Sequence, residues 1–261
     1  MSEPNQPAAL FGLLLITAVA TASHSKEGEQ AALTEVERCS AWLAQRTSSD
    51  PPAIEAVGLR TICADLGSGM SREIAQRFVD HINRIPHGHS PQVVVRSLGG
   101  EVDNGLKMGE AVLNRGAAVH VFDFCASSCA NYLFLAGSKR YVMPDSVVLF
   151  HGGIVAQSLL SAELSDAGRA KLGRSLERQS QFLKRAGISA DFFETMDGLN
   201  AEGVAARACP EKHSIAAVVL SDEKLADAGA HVASNMGPQS QDEVERVMVR
   251  YGMEESTCFW R

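Results

Sequence analysis

Apolar positions along the middle of this chain change period repeatedly. Short unbroken apolar runs, as in strands buried on both faces, alternate with stretches where apolar residues recur every three or four positions, as on one face of a helix. Residues 93–95 and 147–150 are of the first kind, and 59–64, 118–124 and 140–142 are expected as further strands although polar residues interrupt them. Residues 71–85 are of the second, with Ile74, Phe78, Ile82 and Ile85 on one side and Arg72, Glu73 and Asp80 outside it. Residues 103–114 repeat that pattern through Leu106, Ala111 and Leu113 and stop at Gly116. Residues 128–136 are apolar almost all round and predict a buried helix. Alternation of this order predicts an α/β fold, a mostly parallel sheet flanked by helices.

The flanks read differently. Residues 23–53 form a polar extension with one helical stretch at 33–45 and a linker, Ser48-Ser49-Asp50-Pro51-Pro52, before the compact domain at 54–235. Residues 161–184 predict a long charged helix whose face is poorer in apolar residues than a core helix needs, as suits an arm or an oligomer contact. Shorter helices are expected at 191–197 and 222–228, then a polar tail, 236–261, that ends in Cys258-Phe259-Trp260 and invites a disulfide anchor. No internal repeat or low-complexity tract is present.

The N-terminus bears on location. Residues 8–22 are uncharged, mostly apolar and end in Ala20-Thr21-Ala22, a small-x-small pattern. The run is shorter than the roughly 20 residues a spanning helix needs. Residues 1–22 therefore read as an export signal or a retained N-terminal membrane attachment, although Met1–Pro7 carries Glu3 and no Lys or Arg. Export implies a periplasmic or secreted protein. All six cysteines (Cys39, Cys63, Cys125, Cys129, Cys209 and Cys258) lie beyond that segment, and an even number suits disulfides in an oxidising compartment. Their connectivity stays open. Zinc bound through Cys125 and Cys129 would need a second ligand pair that the spacing does not supply, so no metal and no cofactor is expected.

Composition narrows the partners. At 261 residues, 45% hydrophobic and 21% charged, the chain can bury one full core. Its net charge of −7, with no basic stripe, excludes a general nucleic-acid binder.

Three segments carry candidate chemistry. Gly99-Gly100 follows the apolar run 93–95 and precedes a helix, so backbone N–H groups can approach a ligand without side-chain obstruction. Ser127-Ser128 stands where a strand delivers the chain into a buried helix, whose N-terminal amides favour developing negative charge. His151 follows the run 147–150 and precedes Gly152-Gly153, which puts it at a strand's C-terminal end, the usual functional rim of such a sheet. Singly, each has a structural explanation: a tight turn, a helix cap, a satisfied histidine.

Taken together, Val93–Val102 with Gly99-Gly100, the run Ser128-Cys129-Ala130-Asn131-Tyr132-Leu133-Phe134-Leu135-Ala136-Gly137, and Lys139–Ser146 leading to His151 resemble the Clp protease proteolytic subunit. Leu220-Ser221-Asp222-Glu223 with Ala228-Gly229 resembles that family's closing segment, so the likeness spans about residues 55–230. The resemblance implies a Clp/crotonase-like spiral of ββα units, with Ser128 as nucleophile, His151 as general base, and Gly100 and Cys129 as oxyanion donors. Ser127 is the rival nucleophile; Ser128 keeps Ala136-Gly137 aligned without a gap. A peptide or protein substrate, a homo-oligomer and no ATPase partner are implied, because unfolding ATPases belong to the cytosol. The chain departs from the family at Leu98, where a proline is usual, and near Ala217, where the catalytic acid would fall. Asp197 or Glu211 are the acids that could substitute, and a Ser–Lys dyad would need Lys171 or Lys184. The missing acid keeps open a catalytically inactive assembly or peptide-binding module, and the oxyanion pattern alone would also serve an acyl-CoA enzyme.

Overall fold

The strand expected at 59–64 lies two residues later and is the second arm of a hairpin. In a computed structural model, which describes residues 30–261 apart from 48, 68, 161–163, 201–207 and 213, β1 (Ala53–Val57) pairs antiparallel with β2 (Thr61–Gly67). Leu59 lies in the connecting turn and is 65% exposed. The buried Glu35 carboxylate holds that turn, accepting from the Leu59 and Arg60 N–H groups and from the Thr61 hydroxyl at 3.0, 3.2 and 2.9 Å. Glu35 belongs to α1 (residues 30–44), which is tied to the sheet by the Cys39–Cys63 disulfide. The expectations at 1–22 and at Ser48 lie outside the described residues.

From β2 onward every pairing in the main sheet is parallel. The order runs β1-β2-β3 (Gln92–Ser97)-β4 (Ala118–Ala126)-β5 (Arg140–Val142)-β8 (Ser234–Asn235). The second half of β4 pairs instead with β6 (Val147–Leu149), Ala126 opposite Leu149. Helices cover the sheet, as the α/β reading expects. α2 (Arg72–Arg84) is capped by the Ser71 hydroxyl, and α3 (Val102–Arg115) stops at Gly116 in the left-handed region. The buried helix expected at 128–136 is a wide π-helix, Cys129–Phe134. A short connection from β4 brings α3 so close to it that a Cβ on Gly105 would stand 2.8 Å from Ser128 Cβ. The Arg140 guanidinium closes the far end, donating to the Phe134 and Leu135 carbonyls and to that of His231; burial pulls its pKa down to about 10.

Three further regions differ from expectation. The long helix, α4, runs Asp166–Ala186, with Ser165 as its cap; residues 161–163 of the expected range lie outside the described residues. Its second half is not a free arm: Phe182 and Leu183 enter the core, and Arg178 pairs with Glu110 of α3 at 2.6 Å. α5 (Phe192–Asn200) and α6 (Asp222–Asp227) match the expected short helices. The chain after residue 236 is folded, not a loose tail. There α7 (Gln241–Met248) and β9 (Thr257–Trp260) bring Val244, Met248 and Phe259 against Val147, Leu149 and Val219. β9 pairs in parallel with β7 (Ala217–Leu220), and the Cys209–Cys258 disulfide pins it.

All six cysteines are disulfide-bonded, the state an oxidising, extracellular-type environment maintains. No described helix is long and apolar enough to cross a membrane.

Candidate active site

Ser127 sits at the apex of a turn stapled on both sides. β4 ends at Ala126, the wide helix begins at Cys129, and the Cys125–Cys129 disulfide closes the short loop between them. Ser127 adopts φ +56°, a left-handed conformation that costs a non-glycine residue about 1–2 kcal/mol. The turn is held from both ends: the Ser127 N–H donates to Leu149 C=O at 3.1 Å, and its C=O accepts from Asn131 N–H at 2.8 Å. A serine forced into this conformation between strand and helix projects its hydroxyl away from both elements, at the rim of the sheet.

His151 arrives at that rim from the next strand. Phe150 exchanges two hydrogen bonds with Val218 of β7, each 2.8 Å, which fixes the backbone immediately before the histidine. The imidazole then lies between two oxygens, with Nε2 2.6 Å from Ser127 Oγ and Nδ1 2.9 Å from the Gly152 carbonyl. A carbonyl can only accept, so Nδ1 carries the proton. Nε2 is therefore left with a lone pair facing the Ser127 hydroxyl.

This corrects the expected pair. Ser128, read from the ungapped alignment as the hydroxyl that meets His151, is 3% exposed and donates instead to Gly100 C=O at 2.8 Å. It braces the glycine loop against the helix, and the serine within reach of the base is Ser127. Because the strand continues through Ala126, only the first of the two serines occupies the turn. A sequence signal for this existed: residue 127 is the midpoint of the Cys125–Cys129 bracket.

The glycine loop closes the third side. The Ser97 hydroxyl accepts from Gly99 N–H at 3.0 Å, and Gly99 takes φ +98°. A Cβ on Gly99 would stand 2.6 Å from Ser127 Cβ and 3.0 Å from Ser128 N, so the missing side chain leaves space beside that amide. Neither the Ser128 nor the Gly100 N–H donates to a backbone carbonyl among the described residues. The Ser128 amide follows Ser127 directly, and Gly100 is tied to the same corner by its carbonyl, which accepts from the Ser128 hydroxyl. With Ser127 as the hydroxyl, the amide that follows it is that of Ser128, not of Cys129, which is fully buried with its sulfur in the disulfide. Gly100, expected as an oxyanion donor, meets the nucleophile turn through its carbonyl, which accepts from the Ser128 hydroxyl.

The other candidates are not brought to the imidazole. The Asp197 carboxylate lies beside Gly152, where a Cβ would meet Asp197 Oδ1 at 2.8 Å, yet among the described residues the ring bonds to Ser127 and Gly152. Glu211 is exposed on the loop after Cys209. Lys171 lies 3.7 Å from Glu101, and Lys184 is exposed near the end of α4. Among the described residues no cluster of His, Cys, Asp or Glu could hold a metal ion. Two clefts, of about 390 Å³ beside Asp145 and Arg246 and about 240 Å³ beside Phe192 and Trp260, have none of Ser127, His151 or Gly100 in their walls. No protein-family model and no curated protein matches the chain.

Proposed function

We propose that this chain is a serine hydrolase that cleaves peptide bonds, with Ser127 as nucleophile, His151 as general base, and the Ser128 and Gly100 N–H groups as oxyanion donors. The observation that carries the reading is the 2.6 Å approach of His151 Nε2 to Ser127 Oγ, with Nδ1 engaged by a carbonyl. In the reaction, Ser127 Oγ attacks the scissile carbonyl while Nε2 takes its proton. The oxyanion is held by the two amides, each such donor contributing about 10²–10³-fold in rate. The C–N bond breaks as the imidazolium returns the proton to the leaving amine. Water, activated by the same nitrogen, then releases the acyl group and restores Ser127.

The Gly152 carbonyl takes the place that a carboxylate holds in a full triad. It fixes the tautomer and orientation but offers the imidazolium only a dipole, so turnover is slower than a carboxylate-supported enzyme would give. The resemblance over residues 93–153 to the Clp proteolytic subunit supports a peptide substrate and a Clp/crotonase-like spiral, with the nucleophile moved one residue earlier. In an oxidising location without ATP, the substrates are short or already unfolded polypeptides, and assembly into a homo-oligomer follows the same resemblance.

Hydrolysis of a fluorogenic peptide library by the wild-type chain and by Ser127→Ala, Ser128→Ala and His151→Ala tests this. Loss of activity in the first and third, with partial activity in Ser128→Ala, is expected. Full activity in Ser127→Ala overturns the assignment. The absence of a carboxylate on Nδ1 favours one alternative, a peptide-binding module that does not cleave. Saturable peptide binding with no turnover by the folded wild-type protein would select it.

A further inference from the structure

We infer that Gln179, on the long helix α4, is a positioning residue that holds His151 in its productive tautomer by gripping the strap that follows it. The inference concerns the geometry of His151; only its consequence for rate rests on the hydrolase reading.

The strap Gly152-Gly153-Ile154 belongs to no strand, so its polar backbone groups need partners from elsewhere. One side chain supplies both at Ile154. Ile154 N–H donates to Gln179 Oε1 at 3.1 Å, and Gln179 Nε2 donates to Ile154 C=O at 2.7 Å, so the amide imitates a neighbouring strand. Gln179 Oε1 also accepts from the Tyr132 hydroxyl at 2.8 Å. Tyr132 lies on the wide helix that starts just after Ser127, so a single buried amide joins the strap carrying the base to the helix carrying the nucleophile.

The fit is specific to an amide. Exchanging its oxygen and nitrogen would set N–H against the N–H of Ile154 and C=O against C=O. A carboxylate could accept twice but not donate, and a thioether could do neither. Gln179 is 3% exposed, so no solvent stands ready to replace a lost partner. Burial also pushes the Tyr132 phenol above its ordinary range, which keeps it a donor. The strap lies flat enough on α4 and α5 that a Cβ on Gly153 would come 2.5 Å from Phe193 Cγ and 2.9 Å from Gln179 Oε1. Releasing Ile154 frees the Gly152 carbonyl two residues upstream, and that carbonyl is what holds the proton on Nδ1.

The test is the imidazole ¹⁵N spectrum of His151 in the full, oxidised chain, read beside the labelling rate with a fluorophosphonate probe. Wild type is expected to show a single Nδ1–H tautomer. Gln179→Met, neutral and of similar length, is expected to give a tautomer mixture and to slow labelling roughly 10- to 100-fold, the scale of a 1 Å misplacement. Tyr132→Phe, which leaves both bonds to Ile154 in place, is expected to keep the single tautomer and most of the rate. A folded Gln179→Met that retains the single Nδ1–H tautomer overturns the inference, whatever the labelling does. A tautomer shift in that variant with no labelling of wild type leaves the inference standing and removes the hydrolase reading. Should Gln179→Met fail to fold, Gln179→Glu, which keeps the shape and the acceptor but loses the donor to Ile154, takes its place with the same two outcomes.

Discussion

Gly99→Ala separates backbone strain from blockage of the site when it is set beside Gly116→Ala. Both glycines have positive φ, +98° and +58°, so an alanine at either is strained by about 1–2 kcal/mol. Their surroundings differ. A Cβ at Gly116 meets nothing within 4 Å, whereas at Gly99 it meets Ser127 Cβ at 2.6 Å and Ala126 O at 2.7 Å. Overpacking of that kind adds about 1–3 kcal/mol. At about 2–4 °C per kcal/mol for a domain of this size, Gly116→Ala should lower Tm by about 4 °C and Gly99→Ala by about 10 °C. The new methyl would also lie 3.0 Å from Ser128 N, where the proposed mechanism puts the oxyanion. Labelling by a fluorophosphonate, which places a P–O⁻-like oxygen in that space, should slow by about 10²-fold or more in Gly99→Ala and stay within twofold in Gly116→Ala. Differential scanning calorimetry and a labelling time course read the two effects separately. Equal Tm losses, or undiminished labelling in Gly99→Ala, would refute the reasoning.

The other predictions concern what holds the site. Burial lowers the His120 pKa from 6.5 to about 4, with Nε2 2.8 Å from Gln92 Oε1 and the ring stacked on Tyr141. Below pH 6.5 the unfolded chain therefore takes a proton that the folded one refuses. Stability should fall by about 3 kcal/mol between pH 6.5 and 4 from this group, with no contribution above 6.5, and His120→Gln should flatten that slope in urea titrations. The disulfides span 49, 24 and 4 positions. Loop entropy ranks the cost of replacing each pair by serine at about 4, 3.5 and 2 kcal/mol respectively. Denaturant midpoints should follow that order, while labelling should fall most for Cys125/Cys129, the smallest of the three stability losses. Normal labelling in that double variant would detach the staple from the Ser127 turn.

Much of the sheet was legible because parallel strands buried on both faces are rich in apolar residues, as in Val93–Val95 of β3 and Val147–Leu149 of β6. His151 was legible for the same reason, since it directly follows the run 147–150, and Gly99-Gly100 stand four and five residues after Val95. The choice between Ser127 and Ser128 was not. Both follow the strand, and what separates them is the left-handed turn at Ser127, closed by the disulfide and faced by Gly99 from the loop after β3. The ungapped alignment pairs His151 with Ser128, whereas the hydroxyl that meets Nε2 is that of Ser127, one residue earlier, the smallest shift possible. The C-terminal region escaped because its apolar residues, Val244 and Val247–Val249, are few among the charged positions 242–250, and the partners Val147 and Leu149 are about a hundred positions away. Gln179 gives no local signal at all. On α4 it is one more polar residue, and only the fold shows that it faces inward onto Ile154.

The measurement that bears most directly on the account is the position of the covalent adduct after the full-length oxidised protein reacts with a fluorophosphonate. Digestion after reduction and tandem mass spectrometry should find the added mass on Ser127, and His151→Ala should abolish it. An adduct on Ser128, or one on Ser127 that forms equally well without His151, would contradict the proposed pairing of hydroxyl and imidazole.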